Sequence, residues 1–240
     1  MTLLHTTARI LRQLRHDHRT IGLLVVVPVL LLTLLYFMFQ KQIFNSVALI
    51  MLGIFPFVIM FLVTSIAMLR ERTTGTLERL LTTPLKRTDL LFGYGIAFGL
   101  AAAVQATVAS LVAYWLFDLE TAGSKALVIL IAVTNAVLGV ALGLLASAFA
   151  RTEFQAVQFM PIVALPQILL CGLFVAREQM AGWLEGLSNA LPLTYAVEAL
   201  QEVGRHPDPT AMMWRDLGIV AGAVVLALIL ASLTLRRRTP

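Results

Sequence analysis

Six long apolar runs leave this chain few folds to choose from, because each is close to the roughly 20 residues a helix needs to cross hydrocarbon. They lie at residues 21–39, 47–69, 91–117, 125–149, 156–175 and 217–235. The fold class is therefore read as an all-α polytopic membrane protein, one transmembrane domain over residues 1–240. Charged residues make up 13% of the chain and hydrophobic ones 59%, where soluble domains carry about 25% charged. The runs at 91–117 and 125–149 are long enough to tilt or to project beyond the lipid.

The basic residues set the orientation. With the N-terminus cytoplasmic, Arg9, Arg12, Arg15, Arg19, Arg70, Arg72, Arg79, Lys86, Arg87, Arg151 and Arg236–Arg238 fall inside, against Lys41, Lys125, Arg177, Arg205 and Arg215 outside. That asymmetry follows the positive-inside rule and puts both termini in the cytoplasm, with the cytoplasmic membrane as the expected location. Tyr36, Tyr114, Trp115, Trp183, Tyr195 and Trp214 then land near the outer interface, where amphipathic rings are favoured. The formal charge of +5 is accounted for at the lipid surface, so no nucleic-acid partner is expected.

Outside the spans, residues 2–19 form a basic amphipathic segment, with Leu4, Ala8, Leu11 and Leu14 on one arc and His5, Arg9, Arg12, His16 and Arg19 on another. It is expected to lie in the cytoplasmic interface against anionic headgroups, a plain basic tail being the alternative. Residues 176–215 are too long and too apolar for a simple connector. Trp183, Leu184, Leu187 and Leu191 have helical spacing, Pro192 breaks the pattern, and a second helix starts at Leu193. The segment is read as a helical hairpin re-entering the outer leaflet before the last span, or else as a small folded outer cap.

Within the spans, Gly95, Gly99 and Ala103 recur four apart, as do Gly139, Gly143 and Ser147. Such rows let helices approach closely in lipid, so these glycines are assigned to packing inside the bundle, with a subunit interface as the alternative. Pro28, Pro56, Pro161 and Pro166 predict kinks or local unwinding.

Much chemistry is absent. The span interiors carry no Asp, Glu, Lys, Arg or His, which argues against an ion-coupled carrier. The histidines, His5, His16, His18 and His206, lie outside the spans, and no H-E-x-x-H occurs. The single cysteine, Cys171, excludes an internal disulfide framework and a cysteine metal site. No G-x-x-x-x-G-K-[ST] phosphate loop is present, so the chain is not expected to bind ATP in that way, to act as an enzyme, or to hold a cofactor or metal. Among uncharged polar residues in the spans, Gln105, Asn135 and Gln158 are the candidates for lining a substrate path.

One polar interruption remains, residues 70–88, RERTTGTLERLLTTPLKRT. Gly75 is a tolerable N-cap and Glu78 sits near the positive dipole end of a short helix. Leu77, Leu80 and Leu81 share a face, Glu78 and Arg79 turn away, Pro84 stops the helix, and Thr88-Asp89 cap the next one. The spacing predicts a short amphipathic handle between the second and third spans.

The run Arg70-Glu71-Arg72-Thr73-Thr74-Gly75-Thr76-Leu77-Glu78-Arg79-Leu80-Leu81-Thr82-Thr83-Pro84 resembles the R-E-R-x-x-G-T-L-E-x-L-L-x-T-P pattern of type-2 ABC exporter permeases, daunorubicin-resistance-like members included. Leu191-Pro192-Leu193-Thr194-Tyr195-Ala196-Val197-Glu198-Ala199-Leu200 is similar to that family's P-L-T-Y-x-x-E-A-L run, Gln201 standing where many members carry Arg. The resemblance implies a coupling helix at 75–84 seated in a groove of a separate ATP-binding subunit, which would carry the ATP and Mg. It also implies two such subunits and a second permease, identical or related. Leu77, Leu80 and Leu81 would anchor in the groove, with Glu71, Glu78 and Arg79 pairing at its rim. The expected function is export of an apolar or amphiphilic compound, drug or lipid. An ion-driven or passive carrier without an ATPase, a membrane-embedded enzyme, and a plain membrane anchor for an ATPase remain as rivals.

Overall fold

The computed structural model describes residues 3–73 and 87–234. Among these, α1 (Leu3–His16) is followed by α2 (His18–Met38), α3 (Lys41–Thr73), α4 (Arg87–Trp115), α5 (Lys125–Ser147) and α6 (Glu153–Leu170). A 3₁₀ turn (Arg177–Gln179), α7 (Gly182–Ser188), α8 (Pro192–Arg205) and α9 (Ala211–Thr234) complete the described order. Six of these helices are long and apolar enough to cross a membrane, over Thr20–Met38, Lys41–Thr73, Leu91–Trp115, Lys125–Ser147, Glu153–Leu170 and Ala211–Thr234.

The limits differ from expectation where local chemistry overrides the apolar run. The fifth spanning helix ends at Leu170 rather than 175, because Gly172 takes a left-handed φ of +88° just beyond it. The sixth starts at Ala211 rather than 217, since Thr210 Oγ1 accepts from the Met213 backbone N–H at 3.1 Å. That earlier start brings an acid, Asp216, fully buried, into the last helix. Thr88 and Asp89 lie inside the first turn of α4 rather than ahead of it. The longest members are α3 and α4, at 33 and 29 residues. Helices run unbroken through Pro28, Pro56, Pro161 and Pro166, so these prolines cause no local unwinding.

The centre is the α3–α5 pair, which shares the most extensive contact. Asn135 Nδ2 donates to the Gly53 carbonyl at 2.8 Å, Gly139 lies on the Phe57 backbone, and Gly143 lies on that of Phe61. Both sequences ascend together, so the two helices run parallel. A Cβ on Gly143 would meet the Phe61 carbonyl oxygen at 2.6 Å, so only glycine permits this approach. The α4 row behaves differently: nearest to Gly95 is Leu228 at 3.6 Å and to Gly99 is Val137 at 3.9 Å, which is ordinary contact. α4 runs antiparallel to α5, Gly95 facing Leu144 and Gly99 facing Val137.

Residues 2–19 do not form one helix. Asp17 breaks the run by capping α2, its carboxylate accepting from the Thr20 backbone N–H at 3.1 Å. The packed face of α1 also differs from the expected arc, because Thr6, Thr7 and Ile10 are buried while Ala8 is exposed. The cause lies on α4: Gly93 has no side chain, and Thr6 fills the space a Cβ would occupy, 2.9 Å from it.

Candidate functional site: the charged end of α3

Beyond Thr73 the sequence enters the handle, and Gly75, Thr76, Leu77, Glu78, Arg79, Leu80, Leu81 and Pro84 lie outside the described residues. The described part of that site is its root, Arg70, Glu71 and Arg72 in the last turn of α3. Consecutive residues on a helix point about 100° apart, so these three side chains fan out to three neighbours.

Arg70 reaches the start of α6. Its Nε and Nη2 donate to Glu153 Oε1 and Oε2 at 2.7 and 3.0 Å, the two-pronged geometry of a guanidinium on a carboxylate. The α6 start is itself built by a reciprocal cap: Thr152 Oγ1 accepts from Gln155 N at 3.2 Å, and Gln155 Oε1 accepts from Arg151 N at 2.8 Å. Glu153 thereby sits in the first turn, where the helix dipole favours an acid.

Glu71 turns to α1, accepting from Arg9 Nη2 at 3.0 Å, both side chains largely shielded. The resemblance sets Glu71 at the rim of a partner's groove; within this chain its partner is Arg9. Arg72 Nη1 donates to the Ser147 carbonyl, one of the backbone acceptors that the end of α5 leaves open. Thus one triplet ties the end of α3 to α1, α5 and α6. None of Arg9, Ser147 or Glu153 was among the sequence candidates. The Thr152-x-x-Gln155 cap was readable as a helix start, but pairings across 62 to 83 residues leave no local trace.

The candidate path residues lie on three different helices, and among the described residues no hydrogen bond joins them. Gln105 is buried on α4, and neither amide atom has a partner among the described residues. Asn135 is buried on α5 and bonded to Gly53. Gln158 is exposed on α6, in an open cleft of about 280 Å³ with Phe149, Arg151, Gln155, Phe159 and Ile162.

At the opposite end of the bundle, α8 carries the second motif, and each of its polar residues has a partner. Pro192 occupies the first turn, where its missing N–H costs nothing. Thr194 Oγ1 lies 3.3 Å from Ser188 Oγ, Tyr195 donates its hydroxyl to the Asn189 carbonyl at 2.7 Å, and Glu198 accepts from Arg177. Leu193, Ala196, Val197, Ala199 and Leu200 are fully buried, and Leu200 fills the notch at Gly53. α8 is wedged against α3, α5 and α9. α7 in contrast leaves Trp183 and Leu187 exposed. Gln201 shares an open cleft of about 170 Å³ with Arg205, Asn45, Ser46 and Glu120, so a cation stands one turn beyond the position where one was missed.

A family model described as ABC-2 type transporter matches residues 2–203. The chain is 30% identical over 156 residues to YbhR of Escherichia coli strain K12, a probable multidrug ABC transporter permease, covering 65% of this chain and 42% of that protein. It is 30% identical over 141 residues to ABC transporter G family member 20 of Dictyostelium discoideum, covering 59% and 19% respectively. Against the linearmycin resistance permease protein LnrN of Bacillus subtilis strain 168 it is 24% identical over 135 residues, covering 56% and 35%. The chain spans less than half the length of these curated relatives.

Proposed function

Because this chain belongs to the ABC-2 type transporter family, we propose that it is the permease of an ATP-driven exporter, coupled through residues 75–84 to a separate ATP-binding subunit. The assembly holds two permeases, identical or related, and two ATP-binding subunits that carry the ATP and Mg. It sits in the cytoplasmic membrane with both termini inside. The cargo is an apolar or amphiphilic compound, drug or lipid, in keeping with spans that carry charge only near their ends.

The observation that carries this reading is the three-way anchorage of α3 immediately before the handle. Leu77, Leu80 and Leu81 seat in the partner's groove, and Glu78 and Arg79 pair at its rim. Closure of the ATP-binding pair then displaces the end of α3, and Arg70, Glu71 and Arg72 pass that displacement to α6, α1 and α5. Arg70–Glu153 is half-exposed, so water and salt screen it and it is a link that can exchange during a cycle.

The test is Leu81→Asp and Glu78→Arg in the chain co-expressed with its ATP-binding partner. Both variants insert normally but lose the partner on purification and lose efflux of a fluorescent lipophilic dye from cells. Normal dye efflux in both, or efflux by vesicles holding this chain alone without ATP, overturns the reading and favours a partner-free carrier.

A further inference from the structure

At the end of the bundle that carries α8, one cleft is rich in hydrogen-bond donors and poor in acceptors. It opens between the start of α3, the loop before α5 and the last turn of α8, with a volume of about 170 Å³. Arg205, the last residue of α8, stands exposed on its wall with no hydrogen-bond or ion-pair partner among the described residues. Gln201 lies one turn earlier, and Asn45 and Ser46 join the wall from the start of α3. Asn45 Oδ1 accepts from the Glu120 backbone N–H at 3.4 Å, which leaves its Nδ2 free to donate. Among the described residues Glu120 is the only acid on the wall, and Lys41 Nζ already neutralises it at 2.6 Å. The floor is apolar, made by the buried Leu49 and Ile50.

The C-terminal end of a helix repels anions through its open carbonyls. Here two of those carbonyls are taken: the Gly123 N–H donates to Val203 O at 2.9 Å and the Ala122 N–H to Gly204 O at 3.3 Å. Only glycine permits this approach, since a Cβ at Gly123 would meet Val203 O at 2.8 Å and His206 O at 2.7 Å. The charge left without a counterpart in the cleft is therefore the positive one of Arg205. At about 170 Å³ the cleft is smaller than the roughly 300–1,000 Å³ that encloses a drug-sized ligand, so it fits a polar head and not a whole cargo molecule. Aromatic rings mark its depth. Tyr36 stacks on Phe117 at 4.9 Å and meets Phe44, the neighbour of Asn45, at 5.4 Å, while Trp115 at the end of α4 is 75% exposed. Such rings gather where lipid headgroups begin.

We propose that this cleft seats the phosphate of an outer-leaflet phospholipid. Arg205 pairs with two of its oxygens, Gln201, Asn45 and Ser46 donate to the others, and the glycerol end lies over Leu49 and Ile50. A head held there ties the last turn of α8 to the bilayer surface and to the start of α3. The choice of leaflet rests on the orientation proposed above; the binding does not.

To test this, the full chain, in the assembly it forms, is purified in mild detergent and titrated with palmitoyl-oleoyl phosphatidylglycerol, and native mass spectrometry reads the bound lipid. The parent binds it saturably, and dioleoylglycerol, which lacks the phosphate, does not compete. Arg205→Gln weakens binding about tenfold, as expected for the loss of one charged hydrogen-bonding group. Arg205→Lys falls between the two, since it keeps the charge without the planar fork. Arg205 is exposed, so both variants keep the thermal midpoint of the parent. Equal titrations of the parent and Arg205→Gln overturn the site, which is also the outcome if a second permease covers the cleft. Displacement of the lipid by an equal concentration of inorganic phosphate overturns the membrane source. Labelling of Asp208→Cys only in opened cells overturns the leaflet. None of these results touches the ATP-driven coupling, which the dye-efflux test decides by itself.

Discussion

Single atoms decide where this bundle is tight. Gly139 and Gly143 lie on α3 backbone, whereas Gly95 and Gly99 have only side-chain ends nearby, although all four sit in rows of the same spacing. Gly143→Ala must push back the Phe61 backbone and is expected to destabilise by about 1–3 kcal/mol. Gly95→Ala meets only two leucine methyls, at 3.6 and 3.9 Å, and gains up to about 1 kcal/mol of helix propensity. Thermal unfolding of the purified variants in mild detergent checks this: Gly143→Ala lowers the midpoint and Gly95→Ala holds or raises it. Equal effects would show that spacing, not the facing backbone, sets tolerance. Spacing was visible in the sequence; which face of which helix met backbone was not, because that depends on a neighbour 82 residues away. Asn135 shows the same limit, since the Gly53 carbonyl that its Nδ2 meets could not be read from its place in the chain.

At the scale of elements, the helices that cross were legible because each run supplies its own hydrogen bonds and needs only length and apolarity. Their ends were less so. Gly172 and Thr210 end and start helices by local backbone chemistry that an apolar count does not weigh. The packed face of α1 departs from its apolar arc for a related reason: Thr6 and Thr7 are buried where Gly93 lacks a side chain. α1 also depends on the shielded Arg9–Glu71 pair. Glu71→Gln weakens a charged hydrogen bond worth about 1.5 kcal/mol or more, so amide exchange across residues 3–16 should rise roughly tenfold. Arg70→Gln, which touches α6 instead, should leave α1 exchange unchanged. If both variants loosen α1 alike, the triplet does not distribute its three contacts as described.

For the molecule as a whole, the two polar ends differ in kind, one made of ties around Arg70–Arg72 and the other of the α6–α8 connections. The charge asymmetry assigns the first to the cytoplasm. In a Cys171→Ser background, Arg151→Cys should react with a membrane-impermeant maleimide only after cells are opened, and Asp208→Cys should react in intact cells. Reversed labelling would place the handle on the wrong side of the bilayer for any cytoplasmic ATPase. The handle over residues 75–84, read from its leucine spacing and its resemblance to known permeases, lies outside the described residues. Its root became interpretable only once Arg9, Ser147 and Glu153 were seen around it.

The uneven burial of the spans has one more consequence. α3 and α5 form a mast, while α2, α6 and α9 keep only 17%, 17% and 22% of their apolar windows covered by protein. For those three most of the apolar window meets surfaces other than this chain, so acyl-chain length and order, together with the second permease proposed above, set their tilt as much as this chain's own side chains do. Exchanging lipid for a short-chain detergent should therefore let the outriggers drift while the mast stays upright.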